Sequence, residues 1–544
     1  MFAAKDTLLT RPSGGYNLTR SLRFRSSASA YLNRTFGSAG NRKTFTLSMW
    51  LKRGALSAAS TPSIISATSN ASTDDQSLRF TSADQLEFYY WNTTYQWRII
   101  TNNVLRDVAA WYHLVVKVDT TQAVAADRIR LYLNNVEVSY SSASYPAQNA
   151  TLNFGNAQTH YLGSDISFGY LDAYFTEINF IDGQALTPSS FGAFSSYNQW
   201  LPKKYAGTYG TNGFYLPFTN NASTTTLGYD FSPQGNNWTT NNISVTSGST
   251  YDSMTDVPTL TSATAANYCV WNPLDTSSNG TLSRANLQST SVGFISGKGS
   301  IAVSNGKWYW EVTCTGGNYS GVGSHIGLDS VTSPCTSASS TRLGNTATSY
   351  SYNSWNGAKL NNSTSTAYGS TYTNGDVISV ALDLNSGKIW WAKNGTWQAS
   401  GDPAAGTNAA YSSIAAGLYT IAIGDDGGGG IVLDLNCGQQ PFTYTPPTGY
   451  LALNTFNLSA GTVTTSGSFT GNASSDGPFV YLNGVPTAMT INGNAVTFGT
   501  NADKLSNGLK VRSSSSTYNA SGSNTYSVST AGAVFKNANA QGNP

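Results

Sequence analysis

The chain contains four glutamates, Glu87, Glu137, Glu177 and Glu311, and three histidines, His113, His160 and His325. A retaining glycosidase needs two carboxyl groups about 5–5.5 Å apart. On one strand that means acidic residues two positions apart, because successive side chains point to opposite faces. None of the four glutamates has another carboxylate two or four residues away. A pair drawn from separate strands stays open. The histidines stand alone in sequence, and no Gly-x-Ser-x-Gly elbow accompanies a suitable one. Phosphate-binding and dinucleotide loops are absent from the sequence. The expectation is a protein that binds without catalysis. The four cysteines, Cys269, Cys314, Cys335 and Cys437, lack metal-type spacing and read as small buried apolar residues. A Cys314–Cys335 disulfide stays open. Asp425 and Asp426, followed by four glycines, are the calcium candidates, since calcium takes oxygen ligands. Neighbours in a strand point apart, so sharing an ion needs a turn there. A solvated loop tip is the other reading.

The elements that would position these groups are strands. Only 10% of residues are charged, against roughly 25% in an ordinary soluble protein, so solubility rests on hydroxyls and amides. Apolar and polar residues alternate, as in Thr44-Phe45-Thr46-Leu47-Ser48-Met49-Trp50-Leu51 and Asp127-Arg128-Ile129-Arg130-Leu131-Tyr132-Leu133. No helical period is sustained. Asn-Gly pairs such as Asn394-Gly395 and Asn492-Gly493 separate the segments and favour the positive φ of tight hairpins. The net charge of +2 carries no nucleic-acid footprint, and no apolar run approaches the ~20 residues that span a bilayer. The first residues, Met1-Phe2-Ala3-Ala4-Lys5-Asp6, lack the apolar core of a signal peptide.

The pattern divides the chain into a polar arm (1–20), a first sandwich (21–195), a connector with short strands (196–265), a second sandwich (266–455) and a small β unit (456–544). The fold class expected is all-β, with tandem antiparallel sandwiches. Trp50, Trp111 and Trp310 read as core. Trp390 and Trp391 are adjacent in a strand and must face opposite ways, leaving one for a second face.

Three phrases carry a resemblance in the second sandwich. They are Gly306-Lys307-Trp308-Tyr309-Trp310-Glu311-Val312, Gly375-Asp376-Val377-Ile378-Ser379-Val380 and Lys388-Ile389-Trp390-Trp391-Ala392-Lys393-Asn394-Gly395. In this order, closing on Pro441-Phe442-Thr443-Tyr444, they resemble the SPRY domain family, which implies a partner-binding module that recognises through loops. On that implication Tyr350, Tyr352 and Trp355, in the Ser349–Asn356 segment, are the first choice for the contact surface. Burial of these aromatics in the sandwich is the alternative. In the first sandwich, Trp111-Tyr112-His113-Leu114-Val115-Val116 and Tyr170-Leu171-Asp172-Ala173-Tyr174-Phe175 look like a laminin-G or pentraxin type domain of the concanavalin-A-like lectin class. Asn134-Asn135 stands where that family usually has Asn-Gly. Pentraxin-type domains often hold calcium, which makes Asp119, Asp165 and Asp172 further candidates. The order of these units, with Gly213-Phe214-Tyr215-Leu216-Pro217-Phe218 between them and Phe535-Lys536-Asn537-Ala538 at the close, resembles tail-fibre and other structural proteins of marine bacteriophages.

That resemblance implies a virion protein, a tail fibre or spike that adsorbs to a host surface glycan, with other virion proteins as partners and a trimer as the favoured assembly. The alternatives are a head-fibre, decoration or tail-assembly protein and a surface-glycan depolymerase. No cofactor is required on this reading, with calcium left open.

Overall fold

The computed structural model describes residues 16–531, apart from residues 71, 166–168, 196–198, 278–279, 292–294, 320–322, 332, 334–341, 428, 459–462, 476–478, 482–484, 499 and 506–507. It is an all-β molecule built of antiparallel sheets, as the alternation predicts. The Thr44–Arg53 strand sends Phe45, Leu47, Met49 and Leu51 into the first core. It lies between Trp111–Asp119 and Ala173–Asp182 in one eight-stranded sheet. The facing eight-stranded sheet runs from Tyr140–Ser144 through Thr94–Val104, Gln85–Asn92, Asp74–Phe80, Ser63–Asn70, Thr159–Leu162 and Tyr31–Thr35 to Thr239–Asn241. Asn134 and Asn135 both adopt positive φ, 49° and 72°, and join Leu133 to its partner Val136. Asparagine tolerates that conformation, so the missing glycine costs the hairpin little.

Residues 196–265 are more than a connector. Phe214–Leu216 pairs with Ala173–Asp182, Thr239–Asn241 with Tyr31–Thr35, and Ser253–Met254 with Ser21–Phe24. They complete both sheets of the first sandwich. Edge strands leave unpaired N–H and C=O groups, and these late strands satisfy them.

The second sandwich sets a seven-stranded sheet against an eight-stranded one. Lys307–Gly316 pairs with Val377–Asp383 over its length, and Trp310 lies opposite Val380 in the core, 1% exposed. Trp391 joins the same core. Trp390 occupies the other face, as adjacency requires, but that face is not open. Trp390 packs with Tyr309 and Tyr450 and donates its indole N–H to Thr407 O at 2.8 Å. The chain covers that second face itself.

Trp50 and Trp111 are buried, yet not inside the first sandwich. They project from the outer face of its sheet and pack with Tyr174 and Met254 against Val270, Ala285 and Leu287 of the second unit. Gly54 lets the backbones meet: a Cβ there would lie 2.6 Å from Ala285 Cα. Lys52 Nζ donates to Asp256 Oδ2 at 2.8 Å, Asn267 Oδ1 at 2.7 Å and Tyr268 O at 3.1 Å. Trp111 Nε1 donates to the other Asp256 oxygen at 2.9 Å. Burial pushes the Asp256 carboxyl up, and Lys52 opposes it. A small third unit follows, with a core of Met489, Ile491, Ala502, Val511 and Val528.

Candidate functional site

Three strand ends of the second sandwich meet at one edge: Ser324–Ser330, Ser349–Asn353 and Tyr419–Asp425. Period 2 decides which of their residues face the core. Tyr350 and Tyr352 point inward with Ile326 and Leu328 and are 4% and 0% exposed. The Tyr352 hydroxyl donates to Ser370 O, and its ring packs on Tyr372 and Trp391. These two tyrosines belong to a strand and its core, not to a loop, which corrects their selection as contact residues. Trp355 lies beyond the strand and is 57% exposed.

The turn that carries Trp355 is rigid. Asn353 Oδ1 accepts the Trp355 N–H at 2.8 Å, and Asn353 O accepts the Gly357 N–H at 3.1 Å. Ser354 exchanges two bonds with Ser324, through Oγ at 2.7 Å and N–H at 2.9 Å. The other arm of Asn353 reaches His325 Nε2 at 3.0 Å and Asp426 Oδ2 at 3.4 Å. Asp426 Oδ1 lies 2.9 Å from His325 Nε2 and 2.9 Å from Arg342 Nε. A Cβ at Gly323 would come within 2.5 Å of both the Asn353 and Asp426 side chains, so a larger residue there would push them aside. Burial alone would raise the Asp426 carboxyl, but the His325 bond and the Arg342 charge outweigh it and hold it below the usual range.

This arrangement corrects the loop-tip and calcium readings of the acidic pair. Asp425 ends a strand and is fully buried, its carboxyl pushed up by burial. Asp426 is committed to a cation and an imidazole. In the first sandwich Asp165 accepts from Ser63, Asp172 from the Ser26 N–H, and Asp119 from Thr121 and Gln122. Asp119 serves a local turn, whereas Asp165 and Asp172 each tie together segments more than a hundred residues apart, and among the described residues the three form no metal-holding group.

Ser351, His325 and Asp426 form the sequence of contacts expected of a nucleophilic triad: Ser351 Oγ to His325 Nδ1 is 3.0 Å and His325 Nε2 to Asp426 is 2.9 Å. The polarity is inverted, however. Ser351 is 0% exposed and donates to Leu343 O at 2.8 Å, while the carboxylate end meets solvent through Arg342. A nucleophile must face its substrate. Here the hydroxyl points to the sheet's other face, covered by the Leu343 backbone, and the trio braces the strand ends.

Each glutamate likewise has a local assignment. Glu87 sits between Arg79 and Arg98, and Glu137 pairs with Arg130. Glu311 accepts from Tyr309 and from the Thr443 and Tyr444 N–H groups. Glu177 occupies a bulge with φ 55° and accepts from Tyr16 and Tyr215 at 3.1 and 2.6 Å. Burial pushes its carboxyl up to about 7. Cys269, Cys314 and Cys437 are free, buried thiols, and Cys335 lies outside the described residues.

Arg342 was not singled out from sequence. No pattern marks it, since it meets Asp426 only through the fold. Trp355 carried a local signal, the Asn353-x-Trp355-Asn356-Gly357 turn.

Residues 307–414 match the SPRY domain family, and residues 26–190 match the concanavalin A-like lectin/glucanases superfamily. The chain therefore carries both domains, which suggest a role in binding or adhesion. Similar solved structures include the SPRY domain of human HERC1, at 18% identity over 27% of this chain and 87% of that one, with a TM-score of 0.22. Stonustoxin is similar at 18% identity over 31% of this chain and 27% of that chain, with a TM-score of 0.24. The TRIM65 PSpry domain is similar at 13% identity over 31% and 89%, with a TM-score of 0.24.

Proposed function

We propose that this protein is a non-catalytic adhesion component of a bacteriophage virion, a tail fibre or spike that adsorbs to glycan on the bacterial surface as a trimer. The observation that carries the binding reading is Trp355, a tryptophan 57% exposed on a turn fixed by Asn353 and Ser354 and linked through Asn353 and Asp426 to Arg342. Tryptophan and arginine dominate binding hot spots, and a turn ordered before binding loses little entropy on contact. The virion assignment is supported by the order of cassettes in the sequence. Trimeric symmetry would multiply weak single-site contacts with a repetitive surface polymer.

Adsorption of the purified full chain to intact bacteria and to their extracted surface polysaccharide tests this reading. Binding without depolymerisation, weakened by Trp355→Ala, is expected. Shortened polysaccharide would establish the depolymerase instead. Binding to purified capsids or tails in place of cells would establish the structural virion role.

A further inference from the structure

Among the described residues, two lysines have side chains wholly removed from solvent, Lys52 and Lys298. Lys298 meets the Asp329 carboxylate and the Ser330 and Ser333 carbonyls. None of these is a side-chain amide. Lys52 has one among its partners. Its Nζ lies 2.7 Å from the side-chain oxygen of Asn267 and 2.8 Å from Asp256 Oδ2. The Asn267 Cγ is one C=O length beyond that oxygen, which places it within about 4 Å of the amine. Reacting atoms about 3–3.5 Å apart are in attack range, so a small rotation of the amine suffices.

The surroundings orient all three groups. Asn267 Nδ2 donates to Ala109 O at 2.6 Å, which turns the amide oxygen toward Lys52. Trp111 Nε1 holds Asp256 Oδ1 at 2.9 Å and leaves Oδ2 on the amine. The Tyr174 ring lies 5.7 Å from Nζ, and Trp50, Trp111 and Met254 join it in the apolar contact between the sandwiches. In such a place a neutral amine beside a neutral acid loses less hydration than an ion pair does. Burial pushes the Asp256 carboxyl up, the direction that lets it take a proton from its partner.

We propose that Lys52 and Asn267 become joined by an intramolecular isopeptide bond, with Asp256 as the proton carrier. One proton of the ammonium passes to Asp256 Oδ2 along their hydrogen bond. The freed electron pair of Nζ bonds to Asn267 Cγ, and the Cγ–Nδ2 bond breaks. Asp256 gives its proton to the departing Nδ2 and takes a second one from Nζ. Amine and amide thus become a new amide and ammonia. No electron is gained or lost, and no co-reactant is needed. Ammonia leaves on the side where Asn267 is partly exposed. The product ties the Thr44–Arg53 strand of the first sandwich to the segment that opens the second. A covalent bond then closes the contact between them. The bond stands apart from the adhesion reading above.

Mass spectrometry of the purified full chain tests the bond. A combined tryptic and chymotryptic digest should yield a branched peptide that links Lys52 to Asn267. Its mass should be one ammonia below that of its two components together. Lys52→Arg keeps the positive charge but not the nucleophilic amine, and should give the two peptides separately at full mass. Asn267→Ala should also leave them separate. Asp256→Asn should leave most of the chain unlinked, and a fully linked Asp256→Asn chain would overturn the proton-carrier role. Circular dichroism matching the parent secures the fold of each variant, and the parent digest decides alone where a variant does not fold. Separate, full-mass peptides from the parent overturn the inference. Ammonia loss confined to the Asn267 peptide, or kept in Lys52→Arg, also overturns it, because that marks a succinimide at asparagine instead of a link to lysine.

Discussion

At the scale of single residues, exposure separates aromatics that sequence leaves alike. Tyr352 and Trp355 are three positions apart, and one is core while the other is surface. Trp355→Ala should change stability by no more than about 0.5 kcal/mol, as surface substitutions do. Trp310→Ala should cost about 3–5 kcal/mol, read from urea unfolding. A reversed order would refute the placement of both strands. Glu177 gives a pH signature. Its folded carboxyl titrates at about 7, against an ordinary 4.5, because burial disfavours the charge. A raised value means that the folded state holds its proton more tightly. The group's stabilising contribution is therefore complete below about 4.5 and is lost as pH rises through about 7. Ionising it in place costs on the order of 3 kcal/mol. Glu177→Gln should leave stability at pH 4 nearly unchanged and raise it at pH 8, measured by denaturant midpoints at both values.

At the scale of elements, alternation in the sequence identified the strands and their inward residues, as with Phe45, Leu47, Met49 and Leu51. It also predicted that Trp390 and Trp391 face apart. Pairings between distant segments were not legible, because a strand of three residues carries no periodic signal. Phe214–Leu216 and Thr239–Asn241 read as fragments of a connector, yet each closes a sheet of the first sandwich. The site at Trp355 was legible only in part, since its turn is local while Arg342 and Asp426 come from remote segments. A consequence follows for fragments. A piece limited to 21–195 lacks three paired strands and exposes the edges they cover, so it should aggregate. A piece extended to residue 257 restores them and should aggregate less, although it still bares the Trp50–Trp111 face. Size-exclusion chromatography of the two distinguishes the outcomes, and a monomeric, folded 21–195 fragment would contradict the pairing.

At the scale of the molecule, the two sandwiches share a core of their own. Trp50 and Trp111 face Val270, Ala285 and Leu287, and the buried Lys52–Asp256 pair sits within the contact. Both charges are fully removed from solvent, so their attraction is offset by the loss of hydration. The pair's worth lies in what happens when one member is removed. Lys52→Ala leaves Asp256 buried with only the Trp111 indole as donor from the first sandwich, while the Asn267 and Tyr268 acceptors lose their partner. Removing one member of a buried pair costs about 3–5 kcal/mol. Part of the loss falls on the contact, because Lys52 also donates to Asn267 and Tyr268 at the start of the second unit. Calorimetry should record the two sandwiches of the parent melting together and those of Lys52→Ala melting separately, the first sandwich at the lower temperature. Two separate transitions already present in the parent, or a single unshifted one in the variant, would show that the contact does not couple the units.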